Sequence, residues 1–288
     1  MKADLYFVRH GETEANRDNV LQGHCDFPLT DKGVKQCEQV GEALRSIRWS
    51  KVFSSDLPRT LRTSQILLSK SNTYNTEGKE SMTADVLLRE MNFGVLEMLP
   101  RNTSFETAIQ IVAARQGIKF EDVVDEAETN AEVKIRQKKF ITETLFSELV
   151  AQGFPHQSTD AAALAATVAT STIEVDDRVK SEVEEFILSR KSDNPKILCV
   201  SHGGFIRRFL SNFCDLDYVT VGESTPYPGS SILSSVFGIK GTKLIRLSNC
   251  SISVVTIEWP SGGVDNMPGN FVCKAFGEEV NIIRHLDP

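Results

Sequence analysis

The sequence predicts an α/β protein with a mostly parallel central sheet, helices on both faces and an antiparallel edge strand. Short β-rich apolar runs alternate along the chain with segments of helical period, which is typical of a parallel sheet with helical crossovers. The last two strand-like runs are joined by a turn-rich loop, which indicates an antiparallel pairing. With 288 residues the chain can bury a core without disulfide bridges, and we expect one domain over residues 1–288.

The first third of the chain alternates predicted strands and helices. Residues 5–8 (Leu-Tyr-Phe-Val) are short and apolar enough for a buried central strand. Thr30 is a suitable N-cap for a helix, and the apolar positions that follow share one face: Val34, Cys37, Val40, Leu44 and Ile47. Residues 51–54 predict a second strand, and Pro58 favours the first turn of the next helix. Residues 86–90 (Val-Leu-Leu-Arg-Glu) indicate the end of another strand.

The rest of the chain is less regular. A charged, helical pattern runs from Met91 to about Gly153, with five positions expected to be buried: Ile135, Phe140, Leu145, Phe146 and Leu149. Residues 158–172 are rich in Ala and Thr, and both a solvated linker and a packed helix remain open there. The later predictions are an amphipathic helix at 176–191, a helix at 205–214, a loop or irregular strand at 218–243, and strands at 251–258 and 271–275.

The composition restricts the class of partner. Lys and Arg number 32 against 39 Asp and Glu, which gives a net charge of −7. An acidic protein is a poor partner for nucleic acid or for an anionic membrane, so we expect neither. No apolar run approaches the ~18 residues of a membrane span, and the first residues have no signal-peptide pattern. The sequence therefore predicts a cytoplasmic protein.

The cysteines do not form a recognisable framework. They lie at positions 25, 37, 199, 214, 250 and 273, with no C-x-x-C motif and no clustering with histidines. This pattern predicts reduced, buried thiols and offers no ligand set for zinc. We expect neither a metal nor another cofactor.

Two strand ends carry the same sequence feature, a histidine followed by glycine. Arg9, His10 and Gly11 follow the first apolar run, and Ser201-His202-Gly203-Gly204 follows the apolar run at 197–200. Ligands of open parallel sheets bind beyond the carboxyl ends of the strands. We therefore expect one guanidinium and two imidazoles at one edge of the sheet.

These residues, with Thr13 and Asn16, resemble the histidine phosphatase superfamily, which contains the cofactor-dependent phosphoglycerate mutases and the fructose-2,6-bisphosphatases. Blocks at 9–23, 88–97 and 126–136 are most similar to sugar phosphatases of the fructose-2,6-bisphosphatase type. The resemblance implies a helical cap inserted at about 91–172 and hydrolysis of small phosphorylated metabolites such as fructose 2,6-bisphosphate or 2,3-bisphosphoglycerate. A phosphoglycerate mutase, a protein phosphatase and a non-catalytic binding module remain alternatives, and the oligomeric state stays open.

The resemblance also assigns roles to residues. His10 would attack phosphorus through one ring nitrogen while a backbone carbonyl holds the other as N–H. Arg9, Arg59 and an imidazolium at His202 would bind the phosphoryl oxygens, with the Gly203 N–H completing an anion site at a helix start. Glu90 would protonate the leaving oxygen, and we expect burial and the nearby phosphate to raise its pKa.

Further positions are expected to contact the phosphate or to lie outside the reaction. Asn16, Gln22 and Gly23 match phosphate contacts of the family's first loop. Three residues are expected to lie outside the chemistry: Arg62, His24 and His285. Family members usually continue Gly-x-x-Glu-Gly after the acid, whereas Met98 stands here at the second glycine, on the backbone path into the cap. Residues 281–286 resemble the family's Asn-x-x-x-His-Leu tail and are expected to be ordered.

Overall fold

The computed structural model describes residues 1–74, 82–154, 192–214, 247–259, 268 and 270–278. The predictions for 158–172, 176–191, 218–243 and 281–286, including His285, lie outside this part of the chain. Within it, no helix combines the length and the apolar character needed to cross a bilayer.

One six-stranded sheet, counted over the described residues, organises the fold, with the spatial order β3-β2-β4-β1-β5-β6. The strands are β1 (Lys2–Arg9), β2 (Lys51–Ser54), β3 (Thr83–Ala84), β4 (Lys196–Ser201), β5 (Ile252–Glu258) and β6 (Asn270–Glu278). The first four strands in this order pair in parallel. Strand β5 runs antiparallel to both β1 and β6. The predicted mostly parallel sheet with an antiparallel edge is confirmed.

Helices connect the strands at the places that the pattern predicts. The described helices are α1 (Glu14–Arg17), α2 (Asp31–Ala43), α3 (Pro58–Ser69), α4 (Phe105–Gln116), α5 (Asn130–Lys139), α6 (Phe146–Ala151) and α7 (Gly203–Phe213). The Thr30 hydroxyl accepts from the Gly33 N–H at 3.0 Å, which confirms the predicted N-cap. A π-helical turn, Phe140–Leu145, joins α5 to α6.

Strand β1 separates two apolar cores because its side chains alternate between the faces of the sheet. Tyr6 and Val8 belong to the core formed with α2 and α3. Leu5 and Phe7 belong to the core formed with the π-helical turn, α6 and α7, where the Phe7 and Phe209 rings lie 4.7 Å apart. Helices therefore cover both faces, as predicted, and β1 is fixed from both sides where it delivers its last residues to the edge.

Two local predictions are wrong. Residues 86–90 do not end a strand: Asp85 accepts from the Leu87 N–H at 2.8 Å and starts the 3₁₀ turn Val86–Leu88 instead. Ile135 was expected to be buried but is 65% exposed. Val133 and Gln137 turn into the core, and a residue midway between them lies on the opposite side of the helix.

The region expected to form the cap divides into two kinds of packing. Val95, Leu99 and Ala108 form a small separate cluster with α4. The π-helical turn and α6, in contrast, contribute Phe140 and Leu149 to the main core. The segment before α5 is therefore held by far fewer buried side chains than the segment that follows it.

Met98, which stands where the resemblance expects a second glycine, has a backbone conformation that favours glycine. Its φ is +62°, in the left-handed region, and its N–H donates to the Leu21 carbonyl at 2.8 Å. This bond connects the start of the cap with the first loop of the site. For a residue with a Cβ the left-handed conformation costs about 1–2 kcal/mol.

We expect Met98→Gly to raise the free energy of unfolding by about 0.5–1 kcal/mol, since the relief of strain exceeds the extra chain entropy of glycine in the unfolded state. The side chain is 57% exposed, so little packing is lost. Met98→Ala is the matched control, because it removes the same side chain but retains a Cβ. Urea denaturation of the three proteins measures the effect, and a glycine variant no more stable than the alanine variant would refute the strain.

Candidate active site

His10 follows β1 directly and is only 3% exposed. Its Nδ1 lies 2.7 Å from the Gly11 carbonyl oxygen. Because a carbonyl can only accept, Nδ1 carries the proton and Nε2 keeps a free lone pair. The Gly11 N–H donates to the Thr63 hydroxyl at 3.1 Å, which ties this turn to α3. A Cβ at Gly11 would lie 2.7 Å from the Cys37 sulfur, so only glycine fits here.

His202 lies between β4 and α7 with its ring facing that of His10, at 5.3 Å between centroids. The side chain is fully buried, and its Nε2 is 2.9 Å from the Ser55 hydroxyl oxygen. Among the described residues, the buried Nδ1 has no hydrogen-bond partner. When the Ser55 hydroxyl donates to Nε2, Nδ1 bears the proton and becomes an unsatisfied donor beside His10. Such a donor is suited to an oxyanion.

Both histidines are neutral in this structure. Burial lowers the pKa of His10 well below its ordinary value of 6.5, and the Arg59 and Arg9 guanidinium groups lower it further. Burial and the Arg59 charge, with a contribution from His10, likewise lower the pKa of His202. The prediction that His202 is an imidazolium is therefore wrong for the protein without a ligand, because burial beside arginines disfavours another cation.

This pair makes stability depend on pH. Below pH 6.5, the ordinary histidine pKa, the unfolded chain protonates both imidazoles while the folded chain does not. The two neutral imidazoles therefore make their full contribution to the free energy of unfolding above pH 6.5. This contribution is lost as the pH falls from 6.5 towards the lower pKa values of the folded protein. We expect the free energy of unfolding to fall by as much as about 1.4 kcal/mol per pH unit for each histidine.

Urea denaturation between about pH 7.5 and 5 measures this slope, above the range in which carboxylates take up protons. The variant His202→Gln should lose part of the slope, since glutamine does not titrate. A slope that is absent, or stability that rises as the pH falls through this range, would contradict the buried neutral histidines.

Arg59, in the first turn of α3, is 1% exposed. Its Nη1 donates to the Cys25 carbonyl and its Nη2 to the Gly23 carbonyl, both at 2.7 Å. Within the described chain, the buried Nε–H has no partner. Arg59 thus holds the first loop with its two terminal nitrogens and retains a donor. Its charge acts on both histidines and is partly balanced by Glu90.

Arg9 ends β1 and reaches the same centre. Its Nη1 donates to the Leu247 carbonyl, and its charge lowers the pKa of both His10 and His202. A Cβ at Gly203 would lie 3.1 Å from the Arg9 Nε, so a glycine there leaves room for the guanidinium. The neighbouring Gly204 N–H binds Glu90.

The Glu90 carboxylate lies against the start of α7. Its Oε2 accepts from the Gly204 N–H at 2.8 Å and its Oε1 from the Met91 N–H at 2.9 Å. A Cβ at Gly204 would lie 2.3 Å from Oε1, which explains the second glycine of the motif. Burial is the largest single influence and would raise the pKa of Glu90, but Arg208, the two N–H groups and Arg207 together lower it. The expected raised pKa is wrong in this structure for that reason.

Arg136 of α5 fixes the segment that carries Glu90. Its terminal nitrogens donate to three backbone carbonyls of this segment: Leu87 at 3.0 Å, Arg89 at 2.7 Å and Glu90 at 3.0 Å. Glu128 accepts two bonds from the same guanidinium, at 2.7 and 3.0 Å. The sequence block at 126–136 therefore supports the segment that carries Glu90, a role that the sequence did not indicate.

The first loop presents two carboxamides whose oxygens are already used. The Thr13 hydroxyl lies within hydrogen-bond distance of the Gln22 Oε1 at 2.9 Å and of the Asn16 Oδ1 at 3.1 Å. The Asn249 amide donates to the Asn16 Oδ1 at 2.9 Å and to the His10 carbonyl at 3.1 Å. The NH₂ groups of Asn16 and Gln22 therefore remain as donors for an anion.

Two supporting residues were missed by the sequence analysis. Asn249 offers no motif, because a single asparagine before a strand is common in turns. Glu97 does lie in the recognised block, and its carboxylate accepts the N–H groups of His24 at 2.9 Å, Cys25 at 3.2 Å and Phe93 at 3.0 Å. Glu97 thus joins the first loop to the segment after Glu90. The ring of His24 itself contacts the Glu90 carbonyl at 2.9 Å.

The structure thus brings together Arg9, His10, Arg59, Glu90 and His202 from four separate stretches of chain. Arg62, by contrast, is exposed on α3, as expected. No group of three or more His, Cys, Asp or Glu side chains that could hold a metal occurs among the described residues. The chemistry available to this cluster is that of one nucleophilic imidazole, several N–H donors and one carboxylate.

Comparisons with known proteins agree with this geometry. Residues 5–153 match the profile of the histidine phosphatase superfamily (branch 1). The fructose-2,6-bisphosphatase TIGAR B of Danio rerio is 32% identical over 211 residues, which cover 70% of this chain and 71% of that protein. A probable phosphoglycerate mutase, GpmB of Salmonella typhi, is 44% identical over 93 residues, 32% of this chain and 40% of that protein.

Solved structures agree at the level of the fold. A phosphoglycerate mutase from Bacillus anthracis gives a TM-score of 0.56 at 19% identity, covering 96% of this chain and 94% of that one. A mycobacterial glucosyl-3-phosphoglycerate phosphatase gives 0.54 at 19% identity, with 96% and 99% covered. The profile and the sequence relative carry the assignment further than these folds do: the chain belongs to the histidine phosphatase superfamily.

Proposed function

We propose that the protein is a phosphatase that hydrolyses phosphate monoesters of small metabolites through a phosphohistidine on His10. The single observation that carries this proposal is the state of His10. Its Nδ1 is held as a donor by the Gly11 carbonyl, so a neutral Nε2 lone pair is available among Arg9, Arg59 and His202. An imidazole held in this way needs no separate base to attack phosphorus.

The proposed reaction has two steps. The Nε2 of His10 attacks phosphorus, the bond to the ester oxygen breaks, and Glu90 gives its proton to that oxygen. Water then attacks the phosphohistidine, Glu90 takes a proton from it, and phosphate leaves with His10 restored. The arginines and the free Nδ1–H of His202 would bind the phosphoryl oxygens, whose charge grows in the transition state.

Glu90 must acquire a proton before the first step, since its pKa is low in this structure. A bound phosphate dianion brings negative charge next to the carboxylate, and a neighbouring like charge raises the pKa of an acid. The dianion would also attract the positive groups that now stabilise the ionised Glu90, chiefly Arg208, and so weaken their effect on its pKa. Substrate binding would thus itself protonate the acid.

Bisphosphates of sugars or of glycerate, such as fructose 2,6-bisphosphate, are the substrate class that we propose. Further cations lie beyond the phosphoryl group: Arg101 acts on His10 and on Arg207. Burial, with the charge of Arg208, lowers the pKa of Arg207 to about 10. This excess of positive charge would favour a substrate with a second anionic group. The relative from Danio rerio is named as a fructose-2,6-bisphosphatase.

A substrate panel with free phosphate as the readout tests the proposal. Fructose 2,6-bisphosphate and 2,3-bisphosphoglycerate should be hydrolysed faster than monophosphates and phosphopeptides. A phosphoglycerate mutase is the second candidate, favoured by the GpmB relative. Incubation with 3-phosphoglycerate and 2,3-bisphosphoglycerate separates the two, because isomer interconversion without free phosphate would overturn the phosphatase. Preference for phosphopeptides would instead indicate a protein phosphatase.

We expect Glu90→Gln to lower kcat by about 10²–10⁴-fold on alkyl phosphates, whose leaving oxygen needs a proton, and much less on an aryl phosphate. Steady-state kinetics on a sugar phosphate and on 4-nitrophenyl phosphate measure the difference. Glu97→Gln is the control, since Glu97 positions the first loop and should affect both substrates alike. Equal losses for Glu90→Gln on both substrates would exclude Glu90 as the acid.

A further inference from the structure

Two cysteines from distant parts of the chain meet beneath the His10 turn. The sulfurs of Cys37, on α2, and Cys250, before β5, lie 3.5 Å apart. Their side chains are 0% and 3% exposed. Cys250 has a φ of +57°, a left-handed conformation that is uncommon for a residue with a Cβ. This pair therefore brings two reactive groups into contact within an otherwise apolar core.

The pair is connected to the nucleophile by direct contacts. The Cys37 sulfur lies 3.6 Å from the Thr63 hydroxyl, which itself accepts from the Gly11 N–H. The Cys250 N–H donates to the Arg9 carbonyl at 3.1 Å and, more weakly, to the His10 carbonyl at 3.4 Å. Movement of either cysteine would therefore displace the backbone of residues 9–11.

We propose that Cys37 and Cys250 form a redox-sensitive dithiol. Hydroperoxides oxidise the two thiols to a disulfide, and the disulfide slows the reaction at His10. With hydrogen peroxide, Cys37 first gives up its proton, and the thiolate attacks one peroxide oxygen. The O–O bond breaks, the departing hydroxide takes up a proton, and a sulfenic acid and water result. The Cys250 thiol then attacks that sulfur, the S–S bond forms and a second water leaves. The two thiols lose two electrons in all, and the peroxide gains them.

We place the first step at Cys37, whose sulfur has a second polar neighbour in the Thr63 hydroxyl at 3.6 Å. The hydrogen bond from Cys250 lowers the pKa of Cys37, and the Thr63 hydroxyl and the Gly11 N–H lower it further against the effect of burial. The bond to Cys37 and burial raise the pKa of Cys250, so Cys250 stays protonated and does not attack the peroxide first. Cys25, the partly exposed cysteine among those described, is poorly ionised, because burial and Glu97 raise its pKa to about 11.

Formation of the bond draws the two residues together. The sulfurs must approach from 3.5 Å to about 2.05 Å. Cys37 would withdraw from Thr63 and Gly11, while Cys250 would pull on the carbonyls of Arg9 and His10. The Gly11 carbonyl sets the direction of the His10 ring, and a displacement of 1 Å near a reacting group can cost about 100-fold in rate. We expect oxidation to lower kcat by at least about ten-fold.

Peptide mapping after treatment with hydrogen peroxide tests the disulfide, since this oxidant is hardly larger than water and can reach buried sulfur. Denaturing alkylation should leave Cys37 and Cys250 unmodified, and a cross-linked peptide two hydrogens lighter should appear and vanish with dithiothreitol. Hydrolysis of 4-nitrophenyl phosphate should fall and recover in parallel. The mass readout does not depend on the proposed substrate, so its failure is distinct from a failure of the proposed function.

Three variants complete the test. Cys37→Ser and Cys250→Ser should each retain activity at the peroxide dose that inhibits the native protein. Cys199→Ala, which removes a fully buried cysteine of β4, should remain as sensitive as the native protein. The proposal is overturned if both thiols stay alkylatable when Cys25 is oxidised, if the cross-link forms without a change in rate, or if Cys37→Ser is inhibited equally.

Discussion

His10→Ala is expected to lower kcat by at least about 10³-fold on every phosphate monoester, because the attacking nitrogen is lost. The ring fills a buried site whose neighbours are fixed, so the cavity left by alanine can take up a small heterocycle. Added imidazole should therefore restore part of the activity on an aryl phosphate. A residue with a merely structural role would not be rescued in this way.

The control for this experiment is His24→Ala. The ring of His24 contacts the backbone carbonyl of Glu90, away from the proposed nucleophilic nitrogen, so its removal should lower the rate modestly and imidazole should not restore it. Comparable activity of the His10 and His24 variants would contradict the assignment of His10 as the nucleophile. Unchanged circular dichroism of both variants ensures that the comparison concerns chemistry.

Arg59→Ala is expected to lower kcat/KM by about 10²–10³-fold, the range seen when one donor to a developing oxyanion is removed. The substitution removes a buried guanidinium next to both imidazoles and frees the carbonyls of Gly23 and Cys25. The pKa of His10 should rise at the same time, because Arg59 is the largest charge that lowers it. The acid limb of the rate profile should therefore move to higher pH.

Arg62→Ala is the matched control on the same helix, one turn further on and exposed to solvent. It should change kcat/KM by less than about two-fold, since the substitution of an exposed side chain outside the site rarely disturbs the folded structure. Arg59→Lys should recover little, because an ammonium cannot hold two carbonyls and bind phosphate at once. An unshifted acid limb in Arg59→Ala would contradict the proximity of Arg59 to His10.

The sequence predicted the parts of the site that depend on strand ends. A buried apolar run fixes where β1 and β4 end, so the residues that follow, His10 and His202, had to meet at one edge of a parallel sheet. The glycines after them are explained by the close approach of Cys37 to Gly11 and of Glu90 to Gly204. These features are local in sequence and are therefore visible in it.

The missed features depend on contacts that no local pattern encodes. The low pKa of Glu90 results chiefly from Arg208, which lies more than a hundred residues further along the chain, together with two backbone N–H groups and Arg207. The neutral state of His202 results from burial beside Arg59. Residues 86–90 have the composition of a strand, but one carboxylate, that of Asp85, starts a 3₁₀ turn there. Charge and burial of this kind become predictable only once the fold is known.

Rapid quenching of the native protein with a ³²P-labelled substrate tests the central claim most directly. Quenching in base preserves a phosphohistidine, and peptide mapping should place the label on His10 alone, with the label lost on brief acid treatment. The labelled protein should form and decay at rates that account for turnover. Label on any other residue, or turnover by a protein that never becomes labelled, would contradict the proposed phosphohistidine.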